Sequence, residues 1–499
     1  MLIAGLTTGC AVDNPFFMVG SDAPASTEPV ETTGEATVSA TGTTGTTGTG
    51  APGTASETGV ALTTAGDETT GGSPGTTMEV SASDTGGTST GGTSTGAAET
   101  DGGSESGGPT CGDGIKDAGE QCDDGDPIPA DGCERNCREL FVPVTSSLVK
   151  LPRDLAVADM DGDGVEDVII GHGSPQVGDP DLSVGLGDGD GTFDWKNFAT
   201  PNLPGVSWVL VGQFVGGDQP DIILVPGDGM STLTLWENQS TPGDLDLVAR
   251  MPVTGPNTAS YIGARAGDLN GDGFADLMFV DQGKGKLHRR LNTGMDGFGP
   301  THSQSAQPAP IDLAFGLLTK GDALPDVAVA YDMVGKLDVF TNDGKGTLTA
   351  GVPLTGCPAG ADSVAIGDAD MEAPQDLVVT CSGGDTVLLV GHDGTDPYTR
   401  TVGVGLPQTA VAGVIDLYGD DAHADVFAVP KDAMQIVIVA QVDQEFAAEP
   451  LLYPIEHAPG RTIVADFNYD DAPDLAVLHP VAAKITVLLN QGRMAPPMP

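Results

Sequence analysis

Basic residues are scarce in this chain: 20 Lys and Arg stand against 71 Asp and Glu in 499 residues, a formal charge of −51. None occurs before Lys116. A field of that sign repels nucleic acid and anionic membrane and favours cations; it also keeps exported proteins soluble. Aromatic residues make up only 5%, while Gly (73) and Pro (37) are plentiful. That balance disfavours long helices and suits short strands joined by turns. No stretch approaches the ~20 apolar residues of a membrane span. Signatures of catalysis are missing as well: there is no nucleophile elbow, no HExxH pair and no phosphate-binding loop. "GHG" (171–173) and "GHD" (391–393) lack identifiable partners. The glycine-rich "GLGDGDG" (185–191) reads as a turn between strands, because other parts of the chain carry a comparable turn at the same place.

The chain opens "MLIAGLTTGC", an apolar run ending in small residues and Cys10. It resembles the end of a bacterial lipoprotein signal, with Thr7 where such signals carry Leu and no basic segment in front. Export is the expectation, to the outer cell surface or beyond, and a lipid anchor at Cys10 is left open. Residues 11–108 are low-complexity Thr/Gly/Ser sequence that cannot bury enough apolar surface to offset its chain entropy. They are expected to be a disordered stalk with an r.m.s. span of roughly 50 Å.

Seven cysteines divide into Cys10, a cluster of Cys111, Cys122, Cys133 and Cys137, and the pair Cys357 and Cys381. Even-numbered clusters in an exported chain read as disulfides. Residues 109–138 contain "CGDGIKDAGEQCDDGDPIPADGCERNC" and resemble a myxobacterial-type cysteine-rich repeat. So small a unit has almost no core, so disulfides would hold it; their pairing is not deducible. A Cys₄ zinc site is the competing reading, against which stands the lack of paired C-x₂₋₄-C knuckles.

From residue 140 the pattern changes to alternating apolar strands with Gly and Asp turns. An apolar run, an acidic loop ending in Asp and a second apolar run recur about every 50 residues. The terminal residues are Asp167, Asp221, Asp276, Asp326, Asp376, Asp425 and Asp474. Four strands per period is the arithmetic of a β-propeller blade. The expectation is an all-β, seven-bladed propeller with four-stranded blades over 140–492, followed by a tail at 493–499. The last unit lacks a fourth strand and an unclaimed strand sits at 140–149. Pairing of 140–149 with 484–490 would close the ring and remove free sheet edges.

The loop between first and second strands reads D-x-[DN]-x-D-G-x-x-D in its fullest copies, and over about 350 residues the units resemble FG-GAP/VCBS repeats, the integrin-α-like propeller family. That resemblance implies calcium. Side chains at positions 1, 3, 5 and 9 with the carbonyl of 7 can converge hard oxygens, and Ca²⁺ takes 6–8 of them. The implied ligands are Asp159, Asp161, Asp163, Val165 and Asp167 in the first copy, and Asp268, Asn270, Asp272, Phe274 and Asp276 in the third. The seventh has Asp466, Asn468, Asp470, Ala472 and Asp474; the fifth is a weaker set of Asp368, Asp370, Glu372 and Asp376. The second and fourth copies have lost their early carboxylates and read as metal-free turns; the sixth carries one extra residue. The alternative is that these Asp side chains cap turn amides. Cys357 and Cys381 flank antiparallel neighbours in the fifth unit, so a disulfide or two buried thiols are both open.

Three functions are carried forward. The first is a monomeric, surface-displayed, non-enzymatic adhesion module for an extracellular protein or glycan. The second is an envelope scaffold, and the third, least supported, a hydrolase or lyase. A ligand would meet the face opposite the acidic loops, expected to carry His172, Lys284, His302, Tyr331, His457 and His479.

Overall fold

The computed structural model describes residues 115–116 and 139–491, apart from short internal stretches. The signal segment, stalk, cysteine-rich repeat, tail, Asp370 and Glu372 lie outside the described residues.

Every described element is a strand, and among the described residues no helix is long and apolar enough to cross a membrane. Strand β1 (Phe141–Ser147) is set apart from the first sheet, which holds β2 (Pro152–Ala158), β3 (Asp167–His172), β4 (Leu182–Gly187) and β5 (Phe193–Phe198) in that order. The second holds β6 (Val206–Gly212), β7 (Asp221–Pro226) and β8 (Thr232–Asn238), with β9 (Leu247–Ala249) and β10 (Val253–Thr254) both paired to β8. The third is β11 (Tyr261–Gly267), β12 (Asp276–Asp281), β13 (Lys286–Arg290) and β14 (His302–Ser305). The fourth is β15 (Pro310–Gly316), β16 (Asp326–Tyr331) and β17 (Lys336–Asn342), with β18 (Leu348–Ala350) and β19 (Leu354–Thr355) both on β17.

The fifth sheet is β20 (Ala361–Gly367), β21 (Asp376–Cys381), β22 (Thr386–His392) and β23 (Pro397–Gly403). The sixth takes β24 (Thr409–Ile415), β25 (Asp425–Pro430) and β26 (Gln435–Val439), then a small ribbon of β27 (Gln441–Val442) and β28 (Glu445–Phe446), and completes itself with β29 (Leu451–Pro454). The last joins β30 (Thr462–Ala465), β31 (Asp474–His479) and β32 (Lys484–Asn490) to β1. The pairing of β1 with β32 runs from Phe141↔Asn490 to Ser147↔Lys484. The N-terminal strand thus supplies the outer strand that the last repeat lacks.

The outer position departs from the expected single strand in the second and fourth sheets, where two short pieces replace it. Pro252 stands in the break of the second sheet, and a proline cannot donate to a ladder.

Each sheet packs face to face on the next in chain order. Apolar clusters fill the interfaces, for example Ile169, Leu182 and Val184 with Val209, Ile222 and Leu224 between the first and second sheets. The circuit returns where Leu155, Val168 and Ile170 meet Ile463, Ala476 and Leu478. This is an all-β propeller with four-stranded blades. The second strands are buried from end to end, because each lies between two neighbouring sheets; that is why they read as unbroken apolar runs rather than alternating ones.

Candidate functional site

All seven terminal Asp residues of the repeat are the first residue of a second strand, and all are buried. The structure gives them a role that the metal reading did not include. Asp167 Oδ2 accepts the Met160 N–H at 2.7 Å and Oδ1 accepts the Gly187 N–H at 2.8 Å. Asp276 does the same with Leu269 and Asn292, Asp425 with Leu417 and Gln441, and Asp474 with Phe467 and Asn490. Asp221 takes Phe214, Val215 and Asn238. One carboxylate therefore ties the loop to the end of the third strand. It persists in the second and fourth copies, where the other carboxylates are gone.

A second fastener was missed from sequence. The Asn that ends the third strand sends its side-chain amide to the neighbouring sheet's loop: Asn238 to the Met160 carbonyl, Asn292 to Phe214, Asn342 to Leu269 and Asn490 to Leu417. The carbonyls belong to loop position 2, which is apolar and buried in Met160, Phe214, Leu269, Leu417 and Phe467. The signal was an Asn 16 or 17 residues after the terminal Asp, which only alignment of the copies on that Asp exposes.

The early loop carboxylates cap turn amides. Asp159 accepts from Gly162 and Gly164, Asp161 from Asp163, and Asp163 from Val165. Asp268, Asn270 and Asp272 repeat the pattern, as do Asp466, Asn468 and Asp470. Positions 4 and 6 need left-handed backbone, met by Gly162 (φ 73°) and Gly164 (φ 90°) in the first loop but by Tyr469 (φ 64°) and Asp471 (φ 63°) in the last.

Capping leaves lone pairs free, and in the first loop carboxylate oxygens of Asp159, Asp161 and Asp167 lie within 4.8 Å of one another. Burial pushes Asp167 up to about 7 despite its two backbone donors, and burial with Asp163 and Asp159 nearby also raises Asp161. Glu166 rises to about 6 through burial and the charges of Asp159 and Asp466; Asp276 and Asp474 reach about 7, again mainly through burial. Crowded, partly desolvated oxygens, which in the first loop form no ion pair with a basic side chain among the described residues, favour a cation. An all-oxygen donor set matches Ca²⁺ rather than zinc. In the third and last loops Asn270 and Asn468 donate to Asp272 and Asp470. In the fifth, Asp368 and Asp376 are described and Asp376 accepts the Ala369 N–H.

Sequence reasoning placed six residues on the opposite face as a possible ligand surface. His172, Tyr331 and His479 are instead fully buried. The last residue of the second strand meets a polar partner on the third: His172 with Ser183, Asp281 with His288, Tyr331 with Asp338, and His479 with Thr486. Burial lowers His172 to about 4 and lowers His479 as well, so both are held neutral. Lys284 sits beside Asp281 at 3.5 Å, His457 packs against His479, and His302 lies on the outer strand β14.

On the inner strands, Arg265 pairs with Asp312 at 3.0 Å and Arg461 with Asp154 at 3.3 Å, all four buried. Asp154 also accepts the Val209 N–H and Asp312 the Val364 N–H. Both acceptors sit at a register shift in their strand, and both donors one residue past a register shift in the next sheet. The two pairs feel each other electrostatically and bridge several sheets across the middle of the ring.

No protein-family model and no curated protein matches the chain. Among solved structures it is similar to BBS1N, crystallised in complex with ARL6DN and soaked with lead: 10% identity, TM-score 0.49, covering 70% of this chain and 97% of that one. The mercury-soaked crystal of the same pair gives 10% identity and a TM-score of 0.48 with the same coverage.

Proposed function

We propose that this chain is a seven-bladed propeller of the FG-GAP/VCBS type that binds Ca²⁺ in its first, third and last loops, more weakly in its fifth, and is displayed at the cell surface as a non-enzymatic adhesion module. The observation that carries the metal is the convergence of Asp159, Asp161 and Asp167. Asp163 and the Val165 carbonyl would complete that set; Asp268, Asn270, Asp272, Phe274 and Asp276, and Asp466, Asn468, Asp470, Ala472 and Asp474, would form the others. Bound calcium would neutralise the crowded oxygens and pin each hairpin; it supplies no chemistry to a substrate.

Leu140 accepts the Gln491 N–H beside Asn490, which Asp474 holds, so the first strand starts on the loop face of the ring. A ligand would then meet the far face, where Val149, Leu151, Met434 and Val481 are exposed. The ligand class is an extracellular protein or glycan.

The metal is tested by calcium titration of the full chain with calorimetry and thermal unfolding. Saturable binding with a rise in Tm that EDTA reverses supports it; identical unfolding in calcium and EDTA with no heat of binding overturns it. Adhesion is tested on a glycan and matrix-protein array, read with and without EDTA. Silence on the array under both conditions favours the scaffold reading.

A further inference from the structure

The densest basic run in this acidic chain is β13, where Lys286, His288, Arg289 and Arg290 fall within five residues. Most are committed. His288 binds Ser303 at 2.8 Å and faces Asp281, while Arg290 donates to the Phe298 and Gly299 carbonyls and lies over the Phe298 ring. Arg289 is different. Among the described residues it makes no ion pair within 4.0 Å, and its Nε is buried without a partner. Asp276 and Asp343 attract it only at longer range, and burial works against its charge.

Arg289 lines a cavity of about 250 Å³ between the third and fourth sheets. Register explains its make-up. Met278 and His302 stand directly opposite Arg289 on the flanking strands, and Gln304 opposite Leu287, so these side chains share one face. Leu348 of β18 closes the cavity from the fourth sheet. The apolar interface of Met278, Leu287 and Leu348 thus ends against a guanidinium, an imidazole and an amide.

We infer that this cleft binds a small organic monocarboxylate, its carboxylate on the Arg289 fork with His302 and Gln304 beside it and its hydrocarbon on Met278, Leu287 and Leu348. A guanidinium presents paired N–H donors that match a carboxylate. The apolar lining selects a body of a few carbons, and the chain's negative field disfavours polyanions. The inference is independent of the calcium loops.

The test is calorimetric titration of the full chain, calcium-saturated, with 4-methylpentanoate and benzoate against their neutral amides. Arg289→Met and Arg289→Lys are the variants, and Leu348→Trp fills the cleft. The expected result is saturable binding of the acids, at least tenfold weaker for the amides and for Arg289→Met, partly restored in Arg289→Lys and lost in Leu348→Trp. Unchanged thermal unfolding of Arg289→Met shows that the fold is intact. Equal binding of acid and amide, full affinity in Arg289→Met, or no heat at acid concentrations on the order of 10 mM would overturn it.

Discussion

Replacing Asp221 with Ala separates the structural role of the terminal Asp from any role in metal binding. The second loop carries none of the early carboxylates, so Asp221 acts there without a cation site. It is 1% exposed and accepts three backbone N–H groups, from Phe214 at 2.9 Å, Val215 at 2.8 Å and Asn238 at 2.9 Å. Ala leaves all three donors in the interface between sheets. Each unsatisfied buried donor costs about 1–3 kcal/mol, and bonds to a charged acceptor are at the strong end. Allowing for partial relaxation and water entry, the loss should be about 4 kcal/mol. Asp221→Asn keeps one acceptor but turns an NH₂ toward a donor, so it should lose about half of that. Urea unfolding, with the slope checked for constancy, should give the same loss in calcium and in EDTA. A loss below about 1 kcal/mol, or one that disappears in EDTA, would refute the claim that this carboxylate is a backbone fastener first.

Acidity supplies a second check. Asp167, Asp276 and Asp474 have folded values near 7 against an ordinary 3.8, so each favours the folded state in its protonated form; stability falls as pH rises through 7. His172 and His479, lowered by burial, act in the opposite direction but only below about 6.5. Between pH 8 and 6.5 the calcium-free chain should therefore gain on the order of 1 kcal/mol per Asp, seen as a rising urea midpoint, and saturating calcium should flatten that slope by holding the carboxylates ionised. Asp471→Gly relieves the left-handed backbone at loop position 6 (φ 63°) and should raise stability by about 1 kcal/mol in the same assay. Asp312→Ala strands the buried Arg265 charge and should cost about 3–5 kcal/mol, whereas the double change Arg265→Met with Asp312→Leu should be much milder. Cys357→Ser with Cys381→Ser removes a disulfide closing a separation of 24 residues and should cost about 3 kcal/mol; the number of thiols that reduction releases from the unfolded chain should be two smaller in this variant than in the parent.

Much of the fold was legible because its signals are local and repeated. The period placed the start of every second strand to the residue, since an Asp followed by a wholly apolar run recurs wherever a strand is covered on both sides. The closing strand was legible because a four-strand arithmetic left one unit short and one strand over. The bond between Cys357 and Cys381, with Cα atoms 5.0 Å apart, is one of two readings that sequence left open once the pair was seen to flank neighbouring strands. What sequence hid depends on register. His172 and Tyr331 occupy turn-adjacent positions that look exposed, yet cross-strand diagonals bring Ser183 and Asp338 to them inside the sheet stack. The Arg265–Asp312 pair joins residues 47 apart on separate sheets, and no spacing rule links them. The broken outer strand of the second sheet was signalled by Pro252, but only inside a unit already known to need a strand there.

The loops also show why an acidic motif is ambiguous evidence. Asp at position 9 accepts a backbone N–H in every copy, and in the first, second, third, sixth and last it joins a third-strand N–H to a loop N–H. Asp at positions 1, 3 and 5 is not required in that way: the second and fourth sheets build the same architecture without those residues. The part of the motif that varies between copies is therefore the part that can report a cation, and the invariant part cannot. A loop with position 9 alone is a fastener. A loop with positions 1, 3 and 5 as well carries charge in excess of what its turn amides need, and in the first loop positions 1 and 3 converge with position 9. Substituting position 1, as in Asp159→Ala, should then abolish calcium-dependent stabilisation from that loop while leaving the Asp167 bonds to Met160 and Gly187 in place. If the calcium-dependent and calcium-independent parts of stability fell together in Asp159→Ala, the two roles would not be separable, and the division drawn between positions 1, 3, 5 and position 9 would fail.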